Sequence, residues 1–223
     1  MDLIVSKTHL QPFHDLMFPQ FCEGCNIPLI ETHRLYCQEC IQINIRNTKL
    51  GNWKSELTHG YHIDAAYSLL WYGDIVHECV HALKYLGSII PVGQLVDAVT
   101  LPIIDADILV PIPLYHSRQR ERGYNQAEVL AMVLSDRLDI PVNSKILYRT
   151  QWTSSQTKLD NIQRKENMAK KFMCPVEPPL KVLLVDDVLT TGATADSCAQ
   201  TLKIAGATWV GVITLATPPL IKG

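Results

Sequence analysis

Two adjacent carboxylates, Asp186 and Asp187, stand between a run of apolar residues and a loop of small residues. The run 182–185 reads Val-Leu-Leu-Val and predicts a buried strand. The loop before the next predicted helix contains Thr190, Thr191, Gly192, Ala193 and Thr194. In open α/β sheets, phosphorylated ligands bind where strands end, against backbone N–H groups at helix N-termini. The acid pair therefore suits ribose hydroxyls or a metal ion, and the loop suits a phosphate group.

This stretch, residues 182–194, resembles the phosphoribosyl diphosphate (PRPP) signature of type I phosphoribosyltransferases. In that family the two acids hold the ribose hydroxyls, the loop holds the 5-phosphate, and Mg²⁺ binds together with PRPP. The resemblance implies that Asp186 and Asp187 are the catalytic residues of such a site. It also implies a phosphate-binding loop made of Thr190, Thr191, Gly192, Ala193 and Thr194. The alternative is an ordinary strand-to-helix turn, which does not account for paired acids at the strand end.

Three arginines, Arg118, Arg120 and Arg122, follow the predicted strand 108–113, and Gly123 comes directly after them. A pyrophosphate leaving group carries several negative charges and requires cations around it. Arginines on a glycine-containing loop can close over such a group and open again. We therefore expect all three arginines to belong to the PRPP site. The alternative is a solvated basic loop.

Four cysteines near the N-terminus form two C-x2-C pairs with eleven residues between the pairs. The four are Cys22, Cys25, Cys37 and Cys40. Two such pairs can complete a tetrahedral Zn²⁺ site that leaves no open coordination position, so we expect a structural metal. A module this small needs the metal for its folding energy, and we expect chelation to unfold that module. The alternative is four reduced thiols without a ligand.

A second metal motif is present in the sequence, because His77, Glu78 and His81 match the H-E-x-x-H pattern of zinc proteases. The extended protease pattern fails, since Lys84 occupies the position of its glycine. The apolar spacing of the segment 74–86 predicts a packed helix. We interpret the two histidines and the glutamate as the flank of this helix.

Composition limits the classes of protein to which the chain can belong. Its 223 residues are 47% hydrophobic, and the formal net charge is −2. These values are typical of a globular protein and exclude a strongly basic nucleic-acid binder. We recognise neither an apolar run of membrane-spanning length nor a signal peptide, so we expect no membrane insertion. Seven cysteines in such a chain favour metal binding or free thiols over disulfides.

One stretch, residues 145–172, is nevertheless basic, with seven cationic against two acidic side chains. Cations interleaved with aromatic residues suit single-stranded DNA, which places phosphates on the charges and bases on the rings. The candidate contacts are Lys145, Arg149, Trp152, Lys158, Arg164 and Lys165. The alternative is a solvated helix face with aromatic residues in the core.

Strands and helices alternate along the chain, which predicts an α/β fold with a parallel sheet covered on both sides. The predicted strands are 65–72, 108–113, 146–148, 182–185 and 209–215. The predicted helices are 74–86, 91–99, 125–138, 158–171 and 194–205. We expect an N-terminal zinc-finger module in residues 1–50, an irregular linker in 44–60 and a phosphoribosyltransferase-like domain in 60–223.

The order of these motifs resembles the ComF family. It runs from the paired C-x2-C module through Val-Pro-Ile-Pro at 110–113 and Arg-Glu-Arg-Gly-Tyr-Asn-Gln at 120–126 to the PRPP signature. The resemblance implies a cytoplasmic protein that takes part in DNA uptake during natural transformation, beside a helicase-like ATPase of the competence machinery. It also implies a type I phosphoribosyltransferase-like fold.

Three functions remain open at this point. The first is a competence protein that binds PRPP, or a related phosphosugar, and single-stranded DNA. The second is an active phosphoribosyltransferase in nucleobase salvage. The third is a non-catalytic adaptor of the DNA-uptake machinery.

Overall fold

The computed structural model describes residues 20–29, 35–45, 52–85, 90–150 and 171–218. Its helices are α1 (Gln38–Ile45), α2 (Asp74–Tyr85), α3 (Ile90–Ala98), α4 (His116–Arg122), α5 (Gln126–Leu138) and α6 (Ala193–Ile204), with a 3₁₀ helix at Lys54–Glu56. Its strands are β1 (Ala65–Trp71), β2 (Ile108–Pro111), β3 (Tyr148–Arg149), β4 (Phe172–Met173), β5 (Lys181–Val188) and β6 (Trp209–Thr217). Among the helices of these described ranges, none has the length and apolar character needed to cross a lipid bilayer.

A four-stranded parallel sheet with the order β1-β6-β5-β2 lies at the centre of the described chain. β5 is an inner strand, with Val182 opposite Val210 of β6 on one side and Ile108 of β2 on the other. Residues 182–185 are fully buried, because helices cover both faces of the sheet. The predicted α/β fold with a parallel, helix-flanked sheet is confirmed.

Successive side chains of β5 enter two different hydrophobic cores, as the two-residue period of a strand requires. Leu183 and Val185 belong to a core that includes residues of α2, α3 and α5. Val182 and Leu184 belong to a second core, formed largely with α6. The alternation determines which side of the sheet each later residue of the strand faces.

The N-terminal cysteines lie in the first of these two cores. Cys22, Cys37 and Cys40 are buried in the same cluster as Val76 and Val80 of α2. Gln94 of α3 strengthens this contact. Its Oε1 accepts the backbone N–H of residue 35 at 2.9 Å, and its Nε2 donates to the carbonyl oxygen of residue 36 at 3.5 Å. The cysteine-containing segment and the two helices therefore pack as one unit.

Helix α2, which packs against the cysteine segment, also contacts the end of β5 through its last turn. It follows directly on β1, the edge strand of the sheet. At its C-terminal end, Lys84 Nζ lies 2.9 Å from Asp187 Oδ2. The hydroxyl of Tyr124 donates to the carbonyl oxygen of Leu83 at 2.5 Å and so fixes the same end of the helix. α2 thus connects the cysteine segment to the acid pair.

The prediction that the arginines lie on a loop is wrong. Arg118, Arg120 and Arg122 lie on α4, which ends at Gly123 in the left-handed conformation with φ 80°. Arginine, glutamine and glutamate are good helix formers, and a glycine directly after them is a common helix stop. The arginines therefore have a more defined spacing than a loop would give them.

Two further expectations differ from the structure. β3 and β4 pair antiparallel in a small separate sheet, so the predicted strand 146–148 does not join the central sheet. Residues 44–60 were expected to be an irregular linker, but Trp53 within them is buried, with its ring 4.9 Å from that of Trp71.

The predicted helix 158–171 lies almost wholly outside the described residues. The proposed division into residues 1–50 and 60–223 stays a prediction.

Candidate functional site

The acid pair lies at the C-terminal end of β5, which runs through Asp186 and Asp187 and ends at Val188. The backbone N–H of Asp187 donates to Asp186 Oδ1 at 2.9 Å, and that of Val188 donates to Asp187 Oδ1 at 2.8 Å. The side chains of Asp187 and Lys84 are only 16% and 28% exposed, so solvent screens their ion pair less than an exposed one. Sequence reasoning did not include Lys84 in the site, since the contact depends on the path of α2.

The two acids differ in their electrostatic surroundings. Burial and the neighbouring charge of Asp187 raise the pKa of Asp186 to about 8, and Lys84 opposes this shift only in part. The carboxyl group of Asp186 therefore holds its proton more tightly than an exposed aspartic acid does. Asp187 continues the alternation of Leu183 and Val185 toward α2, whereas Asp186 continues that of the residues facing α6. A ligand that requires an ionised Asp186 must displace this proton.

The predicted phosphate loop joins β5 to α6. Gly192 is the N-cap residue of α6, with φ 83°, and Ala193 is its first residue, one position before the predicted helix start. Thr191 Oγ1 accepts the backbone N–H of Ala193 at 3.4 Å. The side chains of Thr190, Thr191 and Thr194 are exposed. The loop therefore presents hydroxyl groups beside a helix N-terminus, an arrangement that suits an anion.

Residues 59–62, which sequence reasoning did not include in the site, pack against this loop. The backbone N–H of His59 donates to the carbonyl oxygen of Thr191 at 2.9 Å. The backbone N–H of His62 donates to Asp196 Oδ1 at 2.6 Å, and His62 Nδ1 lies 3.1 Å from Asp196 Oδ2. A Cβ added at Gly192 would lie 2.3 Å from the carbonyl oxygen of His59. Residues 59–62 thus fix the position of the loop and the first turn of α6, and no motif in the sequence signals this contact.

The structure brings the end of α4 against the end of α2. Arg122 Cζ lies 5.3 Å from the ring centroid of Tyr85, which is next to Lys84 in the chain. Arg118 and Arg120 are exposed on the same helix. Asn125 follows α4 and caps α5, and its side chain also donates to the carbonyl oxygen of Ile112 at 3.0 Å. Arg122 is therefore held beside the last turn of α2, and the residue that caps α5 is held at the end of β2.

The predicted DNA contacts are only partly within the described chain. Trp152, Lys158, Arg164 and Lys165 lie outside it, and Lys145 is exposed. Arg149 is half-buried, with Cζ 3.5 Å from the ring centroid of Tyr115 and 5.1 Å from that of Phe172. Among the described residues, none accepts a hydrogen bond from the buried Nε of Arg149. Interpreting this set as a DNA contact stays a prediction.

Arg149 also lies near the side of the sheet that Asp186 faces. Burial raises the pKa of the Cys198 thiol well above its usual range, with Asp186 adding to the shift and Arg149 opposing it. Asp186 and Arg149 therefore both influence the same residue of α6.

The four cysteines converge on one point. The Sγ atoms of Cys22, Cys25, Cys37 and Cys40 all lie within 4.8 Å of one another. In the part of the chain that the structure describes, this is the one group of three or more possible metal ligands at such distances. Backbone N–H groups, first that of Cys37, lower the pKa of Cys22 to about 6, although burial opposes this shift. These residues can hold a metal such as zinc, which binds thiolates.

Replacing Gly192 with alanine should destabilise the protein by about 2 kcal/mol or more, because a positive φ and a backbone collision act together. Gly123→Ala is the matched control, since Gly123 has φ 80° but open space around it. The control should lose only about 1–2 kcal/mol, the cost of a left-handed alanine. Urea unfolding measures both. Equal losses would show that the contact with His59 does not constrain the loop.

Asp186→Asn should change how stability depends on pH. The folded protein binds this proton more tightly than the unfolded chain, so the stabilisation is complete at low pH and is lost as pH rises toward 8. The variant has no such proton and should lose less stability than the wild type between pH 5 and 8. Urea unfolding at several pH values measures the difference, with the exposed Asp105→Asn as control. Parallel profiles for wild type and Asp186→Asn would contradict the shifted pKa.

Comparisons with known proteins find relatives that are named for competence and DNA utilization. The chain is 40% identical to Competence protein F of Haemophilus influenzae over 114 residues, which cover 49% of this chain and 50% of that protein. It is 29% identical over 203 residues to the DNA utilization protein YhgH of Escherichia coli K12, covering 86% of this chain and 81% of the relative. It is 27% identical over 159 residues to Competence protein ComFC of Bacillus subtilis, covering 67% and 62%.

A glutamine PRPP amidotransferase from B. subtilis, complexed with ADP and GMP, is similar in structure with a TM-score of 0.39 and 21% identity. The match covers 59% of this chain and 26% of that chain, and at this TM-score it carries no weight for function. No protein-family model matches the chain. The names of these relatives, which refer to competence and DNA utilization, agree with the resemblance to the ComF family that the order of the motifs indicates.

Proposed function

We propose that this protein binds PRPP, or a closely related phosphosugar, at the carboxyl edge of its sheet and acts in the handling of DNA during uptake. The observation that supports the ligand is the acid pair at the end of β5, directly before a glycine-capped helix N-terminus. The names of the relatives support the process, since they refer to competence and DNA utilization.

In this proposal, different residues of the site contact different parts of the ligand. Asp187 and, once ionised, Asp186 accept hydrogen bonds from the ribose hydroxyls. The hydroxyls of Thr190, Thr191 and Thr194 and the N–H groups of the first turn of α6 bind the 5-phosphate. Arg122, with Arg118 and Arg120 on the same helix, balances the charge of the pyrophosphate. The side chains to which these roles are assigned are all exposed or half-buried.

The donor set also fits Mg²⁺, which prefers oxygen ligands and commonly binds one or two carboxylates together with substrate phosphates. Mg²⁺ supplies positive charge that neutralises the pyrophosphate. Asp186 is the more suitable protein ligand, since Lys84 already occupies Asp187 Oδ2. Because Asp186 must first lose its proton, binding of the cation and sugar should strengthen as the pH rises toward 8.

Binding and transfer are separate proposals. In a phosphoribosyl transfer, the bond to pyrophosphate loosens and positive charge develops on the sugar, so carboxylates near the ring stabilise that state. The described residues support the binding of a sugar and its phosphates. Salvage of a nucleobase further requires an acceptor, and release of pyrophosphate with a panel of bases tests this activity.

Calorimetry with PRPP and Mg²⁺ tests the site. Wild type should bind, and Asp187→Asn should bind at least about tenfold more weakly, because charge-assisted hydrogen bonds to the ribose are lost. Asp105→Asn is the control, because Asp105 pairs with Lys181 at the other end of β5. The absence of heat with wild type would refute the site, and so would unchanged affinity in Asp187→Asn. Either result would favour the adaptor function.

We further infer that zinc is the metal of the cysteine cluster and that it supports α2 through the shared core. Removal of zinc by a chelator should raise amide hydrogen exchange in α2 as well as in α1, because residues of both helices pack with the cysteines. Helix α6, which packs in the second core, is the internal control. Exchange that rises only in residues 20–45 would show that the cysteine segment unfolds independently.

A further inference from the structure

Four aromatic rings form a continuous row along the outer face of α2. The row consists of Tyr72, His77, His81 and Tyr85, and we call it the ring ladder. Its successive ring centroids are 5.7, 6.4 and 4.6 Å apart. The last two separations join rings tilted by only 32° and 39°. Spacing of four residues along a helix places such side chains on one face.

Three of the four rings, those of His77, His81 and Tyr85, face solvent, whereas Tyr72 is half-buried and packs against the first core. Tyr85 is 60% exposed, and the side chain of His77 is 53% exposed. The opposite face of the helix is buried, and its residues are Ile75, Val76, Cys79, Val80 and Leu83. Single exposed apolar residues are common on protein surfaces. A contiguous exposed row of rings is less common and often marks an interaction surface.

The position of the row connects it to the candidate sugar site. Tyr72 lies at the end of β1, where its backbone N–H donates to the carbonyl oxygen of Thr217 at 2.8 Å. Tyr85, at the other end, is next to Lys84, which pairs with Asp187. The row therefore runs from the end of β1 to the last residue of α2, next in the chain to the lysine that pairs with Asp187.

Charge along the row is uneven. At the Tyr85 end, Arg122 lies over the ring and Arg118 and Arg120 are exposed on the same helix. At the other end, Glu78 Oε1 lies 3.3 Å from His77 Nδ1. Phosphates are therefore favoured at the Tyr85 end, and contacts at the His77 end must depend on the rings. A partner with regularly spaced planar groups joined by anionic linkages therefore fits both the Tyr85 end and the His77 end of the row.

We propose that the ring ladder is a stacking surface for single-stranded nucleic acid, with bases on the rings and phosphates at Arg122. The proposal rests on the DNA-handling function proposed above and assigns the contact to α2 instead of the basic stretch 145–172. Sequence-tolerant binding follows, because every base has a face that can stack. Duplex DNA should bind less well, since its bases are already stacked.

Fluorescence anisotropy with a labelled oligothymidine at several salt concentrations tests the proposal. Tyr85→Ala should weaken binding about fivefold or more, and Tyr85→Phe should keep it within about twofold, because the ring is what stacks. His77→Ala combined with His81→Ala should also weaken binding while leaving the affinity for PRPP unchanged. Met132→Ala, an exposed apolar residue of α5, is the control and should bind as wild type. Thermal unfolding of each variant verifies that it is folded.

The outcomes separate the two proposals. If wild type does not bind the strand even at low salt, the DNA-handling function and the stacking surface are both wrong. If wild type binds and the Tyr85 and histidine variants bind equally well, the stacking surface is wrong and the function stands. Loss of binding in Tyr148→Ala alone would assign the contact to the basic stretch. Equal affinity for duplex and single strand would also overturn stacking.

Photo-crosslinking gives a readout that a structural role would not produce. An oligonucleotide carrying 5-iodouracil should crosslink to peptides that contain Tyr85 or His81, since the excited base reacts with rings stacked on it. Crosslinks confined to residues 145–172 would contradict the proposal. A crosslink lost in Tyr85→Ala and kept in Tyr85→Phe would support it.

Discussion

Lys84 offsets the repulsion between two neighbouring carboxylates, and the arrangement of the site depends on this one ion pair. Asp186 and Asp187 are adjacent on an inner strand, where desolvation and mutual repulsion both disfavour two charges. Lys84 compensates the charge of Asp187 at 2.9 Å, while burial and the charge of Asp187 raise the pKa of Asp186. Two acids in different electrostatic surroundings are thereby held at one strand end.

The ion pair also explains the path of the chain before the central strand. A lysine can reach Asp187 only if α2 extends from β1 across to the end of β5. The packing that holds α2 in place comes from the core that it shares with Cys37, Cys40 and α3. Tyr124, from the segment between α4 and α5, fixes the last turn of the helix. Residues from three distant parts of the sequence thus determine where one ammonium group lies.

The sequence predicted those features that depend on local patterns. Continuous apolar runs identified β5 and β6, and the acids and the small-residue loop followed directly from them. The paired cysteines also predicted their convergence, since each C-x2-C turn places two thiols on one side. The helical state of Arg118–Arg122 was equally local, and the glycine stop after Arg122 was a signal that we interpreted as a loop.

The missed features depend on contacts between residues far apart in the chain. The sequence predicted a strand at 146–148 but not its partner, because β3 pairs with residues 172–173 far along the chain. Residues 59–62 support the Gly192 loop through backbone hydrogen bonds, which leave no trace in residue type. The Lys84–Asp187 pair is of the same kind, because any lysine in the chain was a possible partner.

Helix α2 combines three roles that its geometry keeps separate. Its inner face packs with the cysteine segment, its last turn carries Lys84, and its outer face carries the rings. A residue on the outer face makes few contacts with the core, so its truncation removes a surface without creating a cavity. A residue on the inner face, such as Val80, packs in the core that also contains Cys37 and Cys40, so its truncation leaves a cavity below the helix that carries Lys84. Substitutions on the outer face of α2 should therefore leave the acid pair in place, whereas the inner face links the cysteine segment to the position of Lys84.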